Sequence, residues 1–291
     1  MELRVLRYFL AVAQQRNITK AARELLVSQP TLSKQLADLE SELGVKLFIR
    51  GHRQITLTDE GEYLQARAKE IIQLADQTAT NIQKEQVVTG TLSIGAGESI
   101  GMQRIMEVLS GIIQDYPDVK IRLVSGNADE METALKHGTI DFAVLMAHRS
   151  LDSYHHLQLP ETDRWGLAMQ KDDPLAQKNV IGPADLIGLP LLVSEQALDE
   201  HRFQDWWGNV GKEINIIGTY TLVFNAELMV KQGSAYILTF DNLLNTSNNS
   251  ELTFRPLSPS ISESTNIIWK KNVTQSKVAK LFTQRLLASL D

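Results

Sequence analysis

Leu32, Leu36, Leu39 and Leu43 recur at spacings of four, three and four. This is the apolar stripe of an amphipathic helix, and the residues around it constrain the fold more than any other feature of the chain. At about 100° per residue, Pro30, Ser33, Lys34 and Ala37 face the other way. A solvated helix usually fills such positions with Glu, Lys and Arg. Here the face is small, hydroxylated and lightly charged, so another surface can approach it closely. Upstream, Val5, Leu6, Phe9, Leu10 and Ala13 predict one helix. Asn17 or Thr19 can cap a second, with Ala21, Ala22 and Leu25 inside. Leu26-Val27 makes a tight turn, Ser28 caps the third helix, and Pro30 falls in the first turn, where a missing N–H costs nothing. Gly44 supplies the left-handed stop.

Two short helices joined by so brief a turn describe a helix-turn-helix. Its outward face suits a major groove, which acidic side chains would be repelled from and bulky ones would hold off. Gln29 has an amide for an adenine edge, Ser33 a hydroxyl that donates or accepts, and Lys34 a charge for a phosphate. A small helical bundle with a weakly charged face satisfies the same spacing. The residues after Gly44 favour the helix-turn-helix. Leu47 to Arg50 and Gln54 to Leu57 read as a hairpin with Arg50, His52 and Arg53 near its tip, a wing able to reach the DNA backbone or minor groove. Residues 1–57 hold nine basic and five acidic side chains, a balance of +4; the whole chain carries −6, so the remainder carries −10. A basic head on an acidic body points to a polyanion partner for the head alone.

From Thr58, acidic residues open a long helix, as the helix dipole favours. Leu64, Ala68, Ile71, Ala75, Thr78 and Ile82 form a heptad seam suited to pairing with a second chain, or to packing on the protein's own body, along a rod of roughly 45 Å. Beyond Gly90 the chain alternates: strand Thr91 to Ala96, helix Met102 to Asp115, strand Val119 to Val124, a helix through Leu135, and strand Asp141 to Leu145. That order predicts a parallel sheet with loops converging on a crevice. A second unit begins near Asp163. It has a strand Trp165 to Met169, a helix over PADLIGLPLLVSEQ, and further alternation to Phe240. A return near Ile267 to Trp269 and a last helix, Ser276 to Leu290, complete it. Two such lobes joined by two crossovers form a cleft for a small molecule.

The segment from LRYFLAVAQQ to LTDEG, with AARELLVSQPTLSKQLADLE and ELGVKLF between, resembles the winged helix-turn-helix of LysR-type transcriptional regulators. VKIRLVSGN, GTIDFAVL, DPLA and ADLIGLPLLV resemble, more loosely, that family's effector domain. The resemblance implies a multidomain fold: an all-α winged helix-turn-helix with a long linker helix, joined to an α/β two-lobed effector domain like the type 2 periplasmic solute-binding proteins. The expected boundaries are 1–58 for DNA binding, 59–88 for the dimerisation helix and 89–291 for the effector domain. Lobe I covers 89–161 and 267–291, and lobe II 162–266. On the same resemblance, Gln29, Pro30 and Ser33 face bases, Thr31 and Lys34 the backbone or groove edges, Arg50 and Arg53 serve the wing, and the capping Ser28 belongs to the same DNA-binding set. Glu98, Ser99, Ile100, Ser125, Asn127, Met146 and His148 line the effector pocket from lobe I, and Ser194 and Thr219 face them. Glu98 departs from an anion site: a carboxylate there disfavours a carboxylate ligand and favours an amine or a hydrogen-bonded neutral one. The implied partners are double-stranded operator DNA, a small-molecule effector, and copies of the same chain, as a dimer through the linker helix and as a tetramer.

Catalysis finds little support. His155-His156 is an adjacent pair on an expected loop without metal-helix spacing, no Walker loop or G-x-S-x-G elbow occurs, and TLSIGAGES lacks the third glycine and acidic partner of a dinucleotide fingerprint. Cys is absent, which excludes disulfides and thiolate metal sites and fits a reducing cytoplasm. The apolar run Tyr8 to Ala13 is too short for a signal or a membrane span. The expectation is a cytoplasmic regulator without catalytic residues, metal or cofactor. A ligand-binding or substrate-handling α/β protein with an accessory bundle, or a ligand-independent architectural DNA protein, are the competing classes.

Overall fold

Asn17 Oδ1 accepts a hydrogen bond from the Lys20 amide at 3.0 Å, and Ser28 Oγ one from the Thr31 amide at 3.2 Å, so two successive helices start on capped turns. They are α2 (Ile18–Glu24) and α3 (Gln29–Leu43), preceded by α1 (Leu3–Gln15). Leu26, between the caps, takes a positive φ and is exposed. Gly44 ends α3 at φ 71°. Leu32, Leu36 and Leu39 are buried with Leu6, Phe9, Ala21 and Ala22. Leu43 is 39% exposed; the stripe loses its partner elements in its last turn, so its fourth leucine does not join the core.

This computed structural model describes residues 1–50, 55–82, 88–146, 150–247 and 249–290, which divide into two units, Met1–Glu85 and Gln86–Asp291. In the first, β1 (Phe48–Arg50) and β2 (Ile55–Leu57) pair antiparallel, Phe48 opposite Leu57. Glu40 of α3 accepts from the Leu47 amide at 2.9 Å and the Phe48 amide at 3.3 Å and pairs with Lys46 at 2.7 Å. Burial opposes its charge, but these partners outweigh that and hold the carboxyl below the usual range. The ribbon is thereby fixed against α3. In α4 (Asp59–Ile82), Gly61 lies so close to the Leu47 carbonyl that any Cβ would collide with it, which accounts for the glycine of LTDEG. Leu64 and Ala68 are buried in the core of the first unit, with Ile72 against it, while Ile71 is 37% and Leu74 47% exposed. The seam is therefore not one continuous intermolecular surface: its first two residues pack inside their own unit.

The second unit starts with β3 (Gly90–Ala96), α5 (Met102–Asp115), β4 (Val119–Ser125), α6 (Ala128–His137) and β5 (Phe142–Met146), β3 lying parallel to both neighbours. Next comes β6 (Tyr154–Gln170), seventeen residues long, which carries His155 and His156. The sequence suggests a loop for this pair; two consecutive exposed polar residues hide a strand whose register is imposed by β11. Short 3-10 turns at Pro174–Gln177 and Pro183–Leu186 precede β7 (Leu191–Ser194), α7 (Glu195–Asp199) and α8 (Gln204–Trp207). PADLIGLPLLVSEQ is thus a turn, a strand and a helix start rather than one helix, because Gly188 at φ 76° and Pro190 interrupt it. β8 (Ile216–Tyr220), α9 (Val223–Lys231), β9 (Tyr236–Phe240), β10 (Leu252–Pro256), β11 (Ser262–Lys270) and α10 (Lys277–Ala288) complete the chain; β10 is an element that the sequence pattern does not announce.

Among the described residues these strands join one sheet in the order β4-β3-β5-β11-β6-β9-β7-β8, with β10 on β6. The first half of β6 pairs with β11 and its second half with β9 and β10, so β6 passes from one half of the sheet to the other around Asp163. Each half has its own core. Leu92, Ile105, Ile112, Phe142 and Phe282 pack in one, and Trp165, Leu191, Val193, Phe203 and Leu238 in the other.

Candidate DNA interface and ligand cleft

At the start of α3, Ser28, Gln29, Pro30, Thr31 and Lys34 are exposed and Ser33 is half-buried. Their polar atoms are ordered in pairs: Ser28 Oγ lies 2.7 Å from Thr31 Oγ1, and Gln29 Nε2 donates to Ser33 Oγ at 2.9 Å. The Gln29 carbonyl and the Lys34 ammonium stay available on a preorganised surface. Elsewhere in the unit Arg4, Arg7 and Lys46 are ion-paired with Glu2, Asp76 and Glu40. Lys34, Lys20 and Arg23 make no ion pair among the described residues and are exposed on the two helices of the motif. Lys20 and Arg23 escape sequence reasoning because nothing local distinguishes them from the paired cations. Arg50 is the last residue of β1, whereas Arg53 lies outside the described residues.

In the second unit a cavity of about 480 Å³ opens where the two halves of the sheet meet, a size typical of small-molecule sites. Of the expected lining residues, Glu98, Ser99, Asn127, Met146 and Ser194 line it. Ile100, Ser125 and Thr219 do not; their neighbours Gly126, Tyr220 and Thr221 do, since successive residues at a strand end turn to opposite sides. His148 lies outside the described residues.

Ser99 has a different role from that of a ligand group. Its hydroxyl donates to Asp163 Oδ2 at 2.6 Å, lies 3.2 Å from Thr265 Oγ1, and accepts from the Gly101 amide at 3.1 Å. Asp163, 1% exposed, also accepts from the Ile100 amide at 2.8 Å and from Thr265 at 3.2 Å. Burial raises the Asp163 carboxyl above its ordinary range; these donors oppose that shift and the charge of Glu263 adds to it. The hydroxyl thus ties the β3–α5 loop to β6 and β11 where the strands cross. Beside this network Arg202 Nε donates to Glu263 Oε1 at 2.9 Å, a second guanidinium nitrogen contacts Oε2, and Trp165 Nε1 donates to Oε1 at 3.2 Å. Glu263 and Arg202 are 61 positions apart, a pairing without local sequence signal.

Two hydrogen bonds cross the cavity. Glu98 Oε2 accepts from the Val223 amide at the start of α9, at 2.7 Å. Gln196 Oε1 accepts from the Ala128 amide at the start of α6, at 3.1 Å. Glu98 therefore faces the cavity half-buried; burial raises its pKa and the Val223 N–H opposes the shift. The Tyr220 phenol donates to Leu238 O at 2.7 Å, and burial raises its pKa too. A strained nucleophile or a general-base pair is not among these features. The arrangement offers reversible binding between two halves that hydrogen bonds hold together.

Residues 3–62 match the family described as bacterial regulatory helix-turn-helix protein, lysR family, and residues 85–291 match the LysR substrate binding domain. The Hca operon transcriptional activator HcaR of Escherichia coli (strain K12) is 29% identical over 282 residues, 93% of this chain and 92% of that protein. The HTH-type regulator BenM of Acinetobacter baylyi is 36% identical over 141 residues, 48% of this chain and 46% of that protein. Full-length CbnR complexed with its target DNA has the same fold, with a TM-score of 0.78 at 22% identity, covering 99% of this chain and 100% of that one.

Proposed function

The chain belongs to the LysR family of transcriptional regulators, which bind DNA through a helix-turn-helix and an effector through a substrate-binding domain, and from that premise we propose which of its residues serve each partner. Gln29, Pro30 and Ser33 read bases; Ser28 orders them. Thr31, Lys34, Arg50 and Arg53 hold the backbone, joined by Lys20 and Arg23. Residues 1–58 act as the DNA-binding domain, 59–88 as the dimerisation helix and 89–291 as the effector domain. Within the latter, lobe I (89–161, 267–291) and lobe II (162–266) meet at the cavity. Glu98, Asn127, Met146, Ser194, Tyr220 and Thr239 contact the effector, while Ser99 and Thr265 act through Asp163 as positioning residues. The chain converts ligand occupancy into DNA affinity without catalysing a reaction, in the cytoplasm where its DNA lies.

The observation that carries the DNA assignment is the capped start of α3, with its exposed, small, mutually hydrogen-bonded side chains. Ser33→Glu places a carboxylate on that face and leaves the buried leucines untouched. It should abolish specific operator retention in a gel-shift titration while the melting curve stays that of the wild type. Unaltered DNA affinity would refute the assignment.

A further inference from the structure

The cavity lining has a lopsided charge. Among the described residues it carries the carboxylates of Glu98, Asp129, Glu195, Asp199, Glu200 and Glu263 against one cation, Arg202. That cation is already committed, since its guanidinium is held by Glu263, which the Trp165 indole also binds. A ligand carboxylate would find no uncommitted guanidinium or ammonium among the described lining residues.

The other device proteins use for anions is the amino end of a helix. The starts of α6 and α7 line this cavity, where the Ala128 amide is taken by Gln196 Oε1, and the Val223 amide at the start of α9 lies at its edge, beside Thr221. This last amide is filled, because Glu98 Oε2 sits on it at 2.7 Å. The protein's own carboxylate thus occupies a position that an anionic ligand would seek. Glu98 presents one oxygen to that amide and leaves its other oxygen without a partner among the described residues. Thr239, 1% exposed, also lines the cavity, and its hydroxyl oxygen is without a hydrogen-bond partner of normal geometry among the described residues, beside a Tyr220 phenol whose proton goes to Leu238 O. Trp165 and Phe240, ring centroids 4.2 Å apart, give the same cavity an aromatic wall.

Resting on the reading of this cavity as the effector site, we propose that its ligand is a small organic cation, an ammonium or amidinium group on an apolar or aromatic skeleton, with Glu98 as its counter-ion. The cation meets the free Glu98 oxygen, an N–H can reach Thr239, and the skeleton lies against the Trp165 and Phe240 rings, surfaces that favour positive charge and apolar contact together. An anion of the same shape meets surrounding carboxylates with no uncommitted cation among the described lining residues.

The test uses the full chain and two series of fragments that differ only in charge: benzylammonium, benzyl alcohol and benzoate, and pentylammonium, pentanol and pentanoate. Affinity is measured by ligand-observed NMR titration and calorimetry at low ionic strength. Each ammonium should bind at least about tenfold more tightly than its carboxylate partner. Glu98→Gln, which keeps an oxygen for the Val223 amide but removes the charge, should erase most of that preference. Glu251→Gln, at an exposed site away from the cavity, should preserve it and so controls for net charge. Equal or tighter binding of the carboxylates overturns the charge assignment and leaves the effector-site reading standing; so does a preference that survives Glu98→Gln. Absence of saturable binding by all six compounds would overturn the effector-site reading and this inference with it.

Discussion

Ser99→Ala should cost the second unit much of its stability rather than merely blunt ligand sensing. The substitution deletes a hydroxyl that donates to Asp163 at 2.6 Å and accepts from the buried Gly101 amide at 3.1 Å. A hydrogen bond to an ionised group is worth about 1.5–3 kcal/mol, and a buried amide left without an acceptor costs about 1–3 kcal/mol. The two losses overlap because one oxygen serves both, so the expected net cost is about 3 kcal/mol. At roughly 2–4 °C per kcal/mol for a unit of this size, the melting temperature should fall by roughly 6–12 °C in scanning calorimetry. Asp163→Ala removes the other end of the same bond. The double variant should therefore be less destabilised than the summed single variants by about 1.5 kcal/mol or more. Additivity within about 0.5 kcal/mol, or a single-variant shift below about 2 °C, would refute the network as the tie between the β3–α5 loop and the strand crossing.

Leu64→Glu should unfold the first unit, because Leu64 lies in its core. Ile71→Glu with Leu74→Glu, at exposed positions of the same helix, should instead leave the helix signal intact and lower the oligomeric state seen by light scattering; a native oligomer in that variant would place the interface elsewhere. Glu98 gives a pH test. Burial raises its folded-state pKa, so the folded chain holds this proton more tightly than the unfolded one. That contribution is full below the unfolded value of about 4.3 and is lost as pH rises through the raised value. The melting temperature of the wild type relative to Glu98→Gln should fall over that window and then level off; a flat or rising difference would contradict it.

What the sequence made legible was local. The caps at Asn17 and Ser28, the stop at Gly44 and the alternation from β3 to β5 are written in residues a few positions apart, and their chemistry acts over the same range. β6 was only half legible. Its second half reads as buried because the sheet covers it, while its first half is a strand only by virtue of β11, whose residues lie a hundred positions later. In the cavity, Asn127 and Ser194 were legible through the resemblance to the family's effector domain, and they sit at strand ends, where ligands of such sheets gather. Which of two adjacent residues turns inward was not, hence Tyr220 in place of Thr219. The Arg202–Glu263 pair and the capture of Ser99 by Asp163 depend on contacts between distant segments.

The same contacts bear on how a small ligand can move so large a domain. Each half of the sheet has its own apolar core, so closing or opening the cavity need not expose either. The described polar ties across the cavity mouth are the Glu98–Val223 and Gln196–Ala128 hydrogen bonds, worth about 1 kcal/mol for the neutral one and about 1.5–3 kcal/mol for the charged one. Their sum is comparable to the 1–3 kcal/mol typical of coupling between two sites, and below the roughly 5.5 kcal/mol needed to invert a 1:99 equilibrium. A ligand that replaces these ties with its own contacts to both halves therefore works against an opposing energy of its own size. The Asp163 network differs in kind, being fully buried at the crossing of β6 and β11. Its partners are all buried and none is offered to a ligand, which is why its loss should register in stability before it registers in ligand response.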